Sequence, residues 1–446
     1  MMTYLQYFIP LVVGSKLATG QLISAAATQS TGWNSSFELS PEQVKLAKLT
    51  GDMKTIVNTI VQFDRSQLAN GDAHEDDFYN IQNLPKDQWP TEPGEAVKVQ
   101  EFTDPSPFSI PAKTAISRIV YSTTDINGTL VPASAYILWP YHPRAIRGRN
   151  KASGSSAPVV LWTHGTSGWY ANGAPSTHRG LFYADIVPFA LAEAGYAVIA
   201  PDYAGLGVDS SWDGTHVSHQ YFVREAGAHD ALNSLRAART SFSKRLSTDY
   251  VVMGHSQGGA IAKDLDQIYP SFSLSDWFTP LGIDRIKLLN QVEGSQMVTF
   301  AMFDPDKLLL KPDWHETSYA KHFEKLANPG HMPFKGPVLL VHGTGDTTVP
   351  FNTTTTIAKE TCKEYPGDLE VLVVPKGSHF SAMSAAQQTW LRWIEDRFEH
   401  RPVAKHGCVE SKLESFLPLG HYQGLGNSFL QWAGEPKWAY ELPTAL

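Results

Sequence analysis

The run Gly254-His255-Ser256-Gln257-Gly258 has the residue types that expose a single hydroxyl for chemistry. It follows the apolar stretch Tyr250-Val251-Val252-Met253 and precedes the small residues Gly259-Ala260-Ile261-Ala262. That order predicts strand, sharp turn and helix, with Ser256 in strained backbone and glycines on both sides letting strand and helix pack closely. A serine hydroxyl is a poor nucleophile at neutral pH; it needs a base to take its proton, and that base needs an orienting carboxylate. Both follow in the order Ser, Asp, His. Asp346 lies in His342-Gly343-Thr344-Gly345-Asp346, and His379 in Gly377-Ser378-His379-Phe380. Asp368 is the rival acid but precedes a strand and so points away from the reacting edge. His342 is the rival base but comes before the acid. The oxyanion of acyl transfer needs preorganised N–H donors. The amide of Gln257 is expected to be one; the other should come from His164-Gly165-Thr166, with Thr166 ahead of Gly165. His255 is expected to shape the turn rather than move protons. This chemistry calls for no metal and no organic cofactor.

The elements that must position these residues alternate. Residues 116–121 and 134–139 flank a turn at Asn127-Gly128 and predict an antiparallel hairpin. Buried strands are expected at 158–162, 196–200, 250–253, 337–341 and 369–374, with helices at 186–194, 222–242 and 387–398. In the helix over 222–242, Ala228, Ala231, Leu232, Leu235, Ala238 and Phe242 are expected to share the buried face. Continuous apolar strands interleaved with helices imply a parallel sheet covered on both faces, with ligands bound beyond the strands' carboxyl ends. His164, Asp202, Ser256, Asp346 and His379 all follow such ends. Upstream, one helix is expected from Pro41 to about Leu68, capped by Ser40, then an irregular wrap over 71–95. The polar stretch 144–157 reads as an exposed loop.

A chain of 446 residues exceeds a minimal domain, and 42% hydrophobic residues suffice for a large core. A net charge of −8 without a basic run argues against nucleic acid as a partner. The apolar run 4–14, followed by small residues, reads as a signal peptide over 1–20, although no Lys or Arg precedes it. No other stretch is long enough to span a membrane. Sequons at Asn34, Asn127 and Asn352 agree with export. The two cysteines, Cys362 and Cys408, are either one disulfide or two buried thiols. No Cys/His spacing suits zinc.

Together these motifs resemble the secretory lipase family, the fungal lipase A-type α/β-hydrolases. The resemblance runs from Asp77 to Cys408. It rests on Asp77-Phe78-Tyr79 with Pro93-Gly94, His164-Gly165-Thr166, the segment 201–207 beginning Pro201-Asp202-Tyr203, Gly254 to Gly259, His342 through Asp346 to Pro350, and Gly377 to Phe380. It implies an α/β-hydrolase fold: a mostly parallel sheet with helices on both faces, and Ser256, Asp346 and His379 as the triad. It also implies a bridge between Cys362 and Cys408, and a secreted ester hydrolase acting on lipids or simple esters. An esterase deacylating a secondary metabolite, such as an acetylated trichothecene, is the alternative substrate reading; a non-catalytic binding module is the alternative class. The expected layout is an extension over 21–95, core over 96–270 and 336–408, a cap over 271–335 and a tail over 409–446. The family has a further strand after the nucleophile helix and then a sizeable cap. Here only 297–303 reads as a strand, so either the cap is reduced or part of it is missing from this chain. Oligomeric state is not legible in the sequence.

Overall fold

The computed structural model describes residues 37–147, 156–256, 272–303, 309–328 and 330–422. The expected leader, Asn34, Gln257, Gly258 and most of the tail lie outside the described residues. Six strands form one sheet: β1 (Ala96–Gln100), β2 (Ala115–Thr124), β3 (Leu130–Trp139), β4 (Ala157–Thr163), β5 (Ala197–Pro201) and β6 (Leu246–Gly254), in the order β1-β2-β3-β5-β4-β6. The first three strands and the β3–β5 pair run antiparallel, while β5, β4 and β6 are parallel. The β2–β3 hairpin turns as expected at Asn127-Gly128, where the Asp125 carboxylate accepts the amides of Asn127 (2.9 Å) and Thr129 (2.7 Å). A second parallel sheet contains β7 (Val338–Gly343), β8 (Leu369–Val374) and β9 (Cys408–Lys412). β9 carries strand pairing past the core boundary expected at Cys408. Its alternation of charged and short side chains lacks the apolar run that marks β8, which is why it is silent in the sequence.

Helices cover both faces. On one, α3 (Pro188–Glu193), α10 (Ser381–Ala385) and α11 (Gln387–Phe398) bury Leu191, Met383, Trp390 and Ile394 against Tyr136, Val160 and Trp162. On the other, α4 (Arg224–Ser241) packs Ala231, Leu235 and Ala238 against Ile119, Tyr121 and Ile199. The buried face of α4 is rotated from the expected one. Ala228 and Leu232 are exposed, while Asp230, Asn233 and Ser234 point inward. The rotation follows polar pairing: Asp230 accepts the Ala204 amide (3.0 Å), and the Asn233 side chain donates to Thr123 (3.1 Å). A buried hydrogen bond offsets the cost of burying these groups, so apolarity alone misplaces the face.

The expected single N-terminal helix is two, α1 (Pro41–Leu46) and α2 (Gly51–Ser66). Ser40 caps the first in a capping box with Gln43; Lys48 then turns left-handed (φ 49°), and Thr50 caps the second. The region after β6 contains α5 (Leu274–Trp277), α6 (Pro280–Val292), α7 (Gln296–Met302) and α8 (Ser318–Ala327). The stretch 297–303, expected as a strand, is thus mostly helix. Ser295 caps it by accepting the amides of Met297 and Val298, and Val298 and Met302 bury against Val57, Ile60 and Val61. A short apolar run does not distinguish strand from buried helix, and the cap and packing partner decide it. The N-terminal helices therefore share one apolar cluster with α6 and α7, which also takes in Trp169 and Tyr221 from the loops after β4 and β5.

The further strand of the lipase A-type pattern has no counterpart among the described residues. The far edge of β6 and the near edge of β7 are consequently unpaired there, and the sheet divides into six and three strands. Val252 is 55% exposed on this edge, whereas β4, one strand inward, is almost wholly buried. Val251 and Met253 still share a core with Leu339 and Val341.

In α9 (Phe351–Glu364), Cys362 is bonded to Cys408 at the start of β9, which ties the last strand to the helix beside it. The sequence separation of 46 residues is large enough for the closed loop to matter. Replacing both cysteines by serine is expected to lower unfolding stability by about 2–4 kcal/mol. Denaturant unfolding measures this, and titration of the unfolded wild-type chain should find no free thiol.

Candidate active site

Ser256 has φ 42°, in the left-handed region that a side chain disfavours by about 1–2 kcal/mol. The turn is tied to the end of β4: the His255 amide donates to the Thr163 carbonyl (3.1 Å), and Thr163 Oγ1 donates to the Met253 carbonyl (3.3 Å). Gly254 is required here, because a Cβ would lie 2.2 Å from Thr163 Oγ1. Gly165 meets the turn from the opposite side. A Cβ on it would lie 3.1 Å from Ser256 Cβ and 3.0 Å from the His255 carbonyl. The Thr163 side chain takes the space beside Gly254, and the Tyr183 hydroxyl and the turn's backbone take that beside Gly165, which is the physical reason for glycine at both positions.

The His379 ring donates from Nδ1 to Asp346 Oδ2 (2.8 Å), the arrangement in which Nε2 of a neutral imidazole is the acceptor. Oδ1 of Asp346 accepts the amides of Thr348 (2.8 Å) and Val349 (2.9 Å). Burial works against its charge, but the His379 hydrogen bond and charge together with the two amides outweigh burial and hold the carboxyl below the usual range. His342, the rival base, also approaches Asp346 Oδ2 (3.4 Å), but its Nε2 bonds the Val349 carbonyl (2.9 Å) and burial lowers its pKa. It braces the acid's loop. Asp368, the rival acid, is remote from this cluster and binds the Gly407 amide (2.7 Å). His255 links the two halves: its Nε2 meets the His379 carbonyl at 2.9 Å, and the rings lie 4.6 Å apart. Burial and the neighbouring His379 charge push His255 down to about 4, which suits a neutral shaping residue. Ser256 and His379 are thus brought to one edge. Among the described residues no hydrogen bond joins them, and such bonds commonly tighten only with substrate bound.

The loop beyond β4 is held by buried polar pairing that sequence reasoning did not find. Tyr203 donates to the His164 carbonyl (2.9 Å) and stacks on its ring at 4.4 Å. A neutral imidazole has one N–H, and the shorter contact, Nδ1 to the Gly165 carbonyl at 2.6 Å, uses it. Beneath, Asp202 is fully buried and accepts Ser134 Oγ (2.7 Å), the Ser176 amide (2.8 Å) and Ser176 Oγ. Tyr79 donates to Ser176 (2.7 Å), and Arg118, paired with Asp76 (2.7 Å), approaches Tyr79. Burial raises Asp202 to about 6 despite these donors. Thr166 shares a hydrogen bond with Tyr221 (2.6 Å), and Trp169 donates to Thr299 of α7 (3.2 Å), so the loop is pinned to the overlying helices. The Gly165 amide donates to the hydroxyl of Tyr183 and is engaged in this conformation. Tyr183 follows Leu181 and Phe182 in a run of three residues with φ of 50°, 43° and 41°. The strain is about 1–2 kcal/mol per residue. Full burial of a side chain such as Leu181 offsets about 1.5–3 kcal/mol of it.

The sequence from 159 to 390, more than half the chain, matches the family model of the alpha/beta hydrolases. The chain belongs to that family. Among solved structures, this hydrolase is similar to Candida antarctica lipase A in its closed state, with 16% identity and a TM-score of 0.55 over 83% of this chain and 94% of that one. A second structure of Candida antarctica lipase A gives 15% identity and the same TM-score over the same shares. A rice cell wall degrading esterase, LipA from Xanthomonas oryzae, has 17% identity and a TM-score of 0.49, covering 69% and 98% of the two chains. At such identities the likeness shows the fold alone. No curated protein matches the sequence. No helix among the described residues is long and apolar enough to cross a membrane.

Burial drives His164 down to about 4 from an ordinary 6.5. The unfolded chain therefore binds a proton between those values that the hydrolase refuses. The stability His164 contributes is complete above pH 6.5 and is lost as pH falls through about 4. An NMR titration should find its ring neutral down to about pH 5; a midpoint near 6.5 would contradict its burial.

Proposed function

We propose that this hydrolase cleaves carboxylic esters through an acyl-enzyme on Ser256. Its Oγ attacks the ester carbonyl while His379 Nε2 takes the proton. Asp346 holds the imidazolium at Nδ1, and the same proton passes to the departing alkoxide. Water then attacks the acyl group, with His379 again as base, and releases the acid and free Ser256. The amide of Gln257 and that of Thr166 are the proposed oxyanion donors. The observation that carries this reading is a serine in strained backbone, packed on Gly165, whose neighbour His255 is hydrogen-bonded to the carbonyl of His379, the imidazole oriented by Asp346.

The lipase named among the structural neighbours makes esters the substrate class to test first. Secretion forms part of the proposal. The disulfide suits an oxidising compartment, Asn127 and Asn352 are exposed where glycosylation requires it, and the leader-like run precedes them. Extension, cap and core are proposed to act as one unit, since α2, α6 and α7 share a cluster with Trp169.

Ser256→Ala is expected to reduce ester hydrolysis by about 10⁶-fold with the fold intact, and Asp346→Asn by about 10⁴-fold through the wrong imidazole tautomer. Initial rates on nitrophenyl esters measure both. The same esters in an acyl-length series should show activity on medium or long chains. Cleavage of acetyl esters alone would instead identify a deacetylase of small molecules, and full activity in Ser256→Ala would overturn the mechanism.

A further inference from the structure

We propose that Tyr183 is an oxyanion donor of this active site, its phenolic O–H stabilising the charge that develops beside Ser256. The inference rests on Ser256 being the nucleophile, as proposed above. Its basis is placement. A point one carbon out from the Gly165 Cα lies 2.6 Å from the Tyr183 hydroxyl and 3.1 Å from Ser256 Cβ. The hydroxyl and the carbon that carries the proposed nucleophilic oxygen therefore flank the same point beside Gly165. The Gly165 amide donates to the phenol oxygen, which leaves the phenol proton to be given elsewhere. Among the described residues no acceptor takes it. Receiving one hydrogen bond makes a hydroxyl a better donor of its own, so the Gly165 amide acts on the oxyanion through the tyrosine.

The ring is fixed in place. It meets His255 edge-on at 5.8 Å and Phe380 at 5.7 Å, the residues beside the proposed nucleophile and base. Tyr183 reaches this point only because three successive residues hold left-handed backbone. Strain of that kind persists where the surroundings over-determine it, and it gathers at functional positions. Burial pushes the phenol pKa up, so the group keeps its proton across the neutral range. A donor aimed at the developing charge costs no reorganisation during reaction.

The alternative is that Tyr183 is a plug, occupying an amide that the oxyanion needs. Tyr183→Phe separates the two. As a donor, its loss lowers kcat by about 10²-fold with KM little changed, and weakens binding of a boronic acid transition-state analogue in parallel. As a plug, its loss leaves kcat unchanged or raises it, and that result overturns the proposal. A purely structural role would lower the melting temperature and raise KM without the selective loss of analogue binding. Should the variant misfold, difluorotyrosine incorporated at 183 keeps the shape and lowers the phenol pKa. The alkaline limb of the kcat profile should then move to lower pH, and an unmoved limb overturns the proposal. Stoichiometric labelling of Ser256 in the wild type by an organophosphonate tests the reading beneath it. No label overturns both; label with full kcat in Tyr183→Phe overturns this inference alone.

Discussion

Close contact between Gly165 and the strained turn at Ser256 is the constraint on which the site depends. A methyl group added at Gly165 would press on the His255 carbonyl and Ser256 Cβ at 3.0 and 3.1 Å. The contact sets how near the loop after β4 can come to the proposed nucleophile, and therefore where an oxyanion would sit. It also requires the loop to be rigid, since a shift of about 1 Å in such a site costs about 10²-fold in rate. The rest of the active edge can be read as the means of holding that loop still.

The loop is held by polar groups taken out of water. Asp202 lies under it with three donors, and His164 and Tyr203 stack within it. Each such group would cost several kcal/mol if left unpaired, so the network has a narrow choice of geometries. Arg118 with Asp76 and Tyr79 extends it to the irregular segment before β1. This explains why a stretch without regular structure contains buried aromatics: its packing partner is the underside of the active edge.

Above the edge, α6 and α7 pack on the N-terminal helices, while α5 and α8 bury Trp277 and Phe323 in a cluster of their own. Val57, Ile60 and Val61 bury against Leu288, Val298 and Met302, and Trp169 enters the same cluster. Below, the sheet lacks a strand between β6 and β7 among the described residues, so the base and acid belong to one sheet and the serine to the other. The hydrogen bond from His255 to the His379 carbonyl and the shared apolar core join the two sheets beside the site.

What the sequence determined by itself was whatever depends on near neighbours in the chain. Apolar runs bounded by turn residues marked β4, β5 and β8, and the period of 387–398 marked α11, because strand and helix formation are set by local patterning. Gly254-His255-Ser256 and Gly377-Ser378-His379 were legible for the same reason: a turn that exposes a side chain needs particular residues at adjacent positions. Tertiary structure decided the rest. Tyr183, Tyr221 and Ser176 are ordinary residue types in unremarkable runs, and only their partners, brought from distant segments, give them roles. The stretch 297–303 became helix because Ser295 caps it and α2 covers it, β9 became a strand because β8 offered an edge, and the face of α4 turned to pair Asp230 and Asn233. In each case the deciding free energy lies in a contact between residues far apart in the chain, which no local pattern encodes.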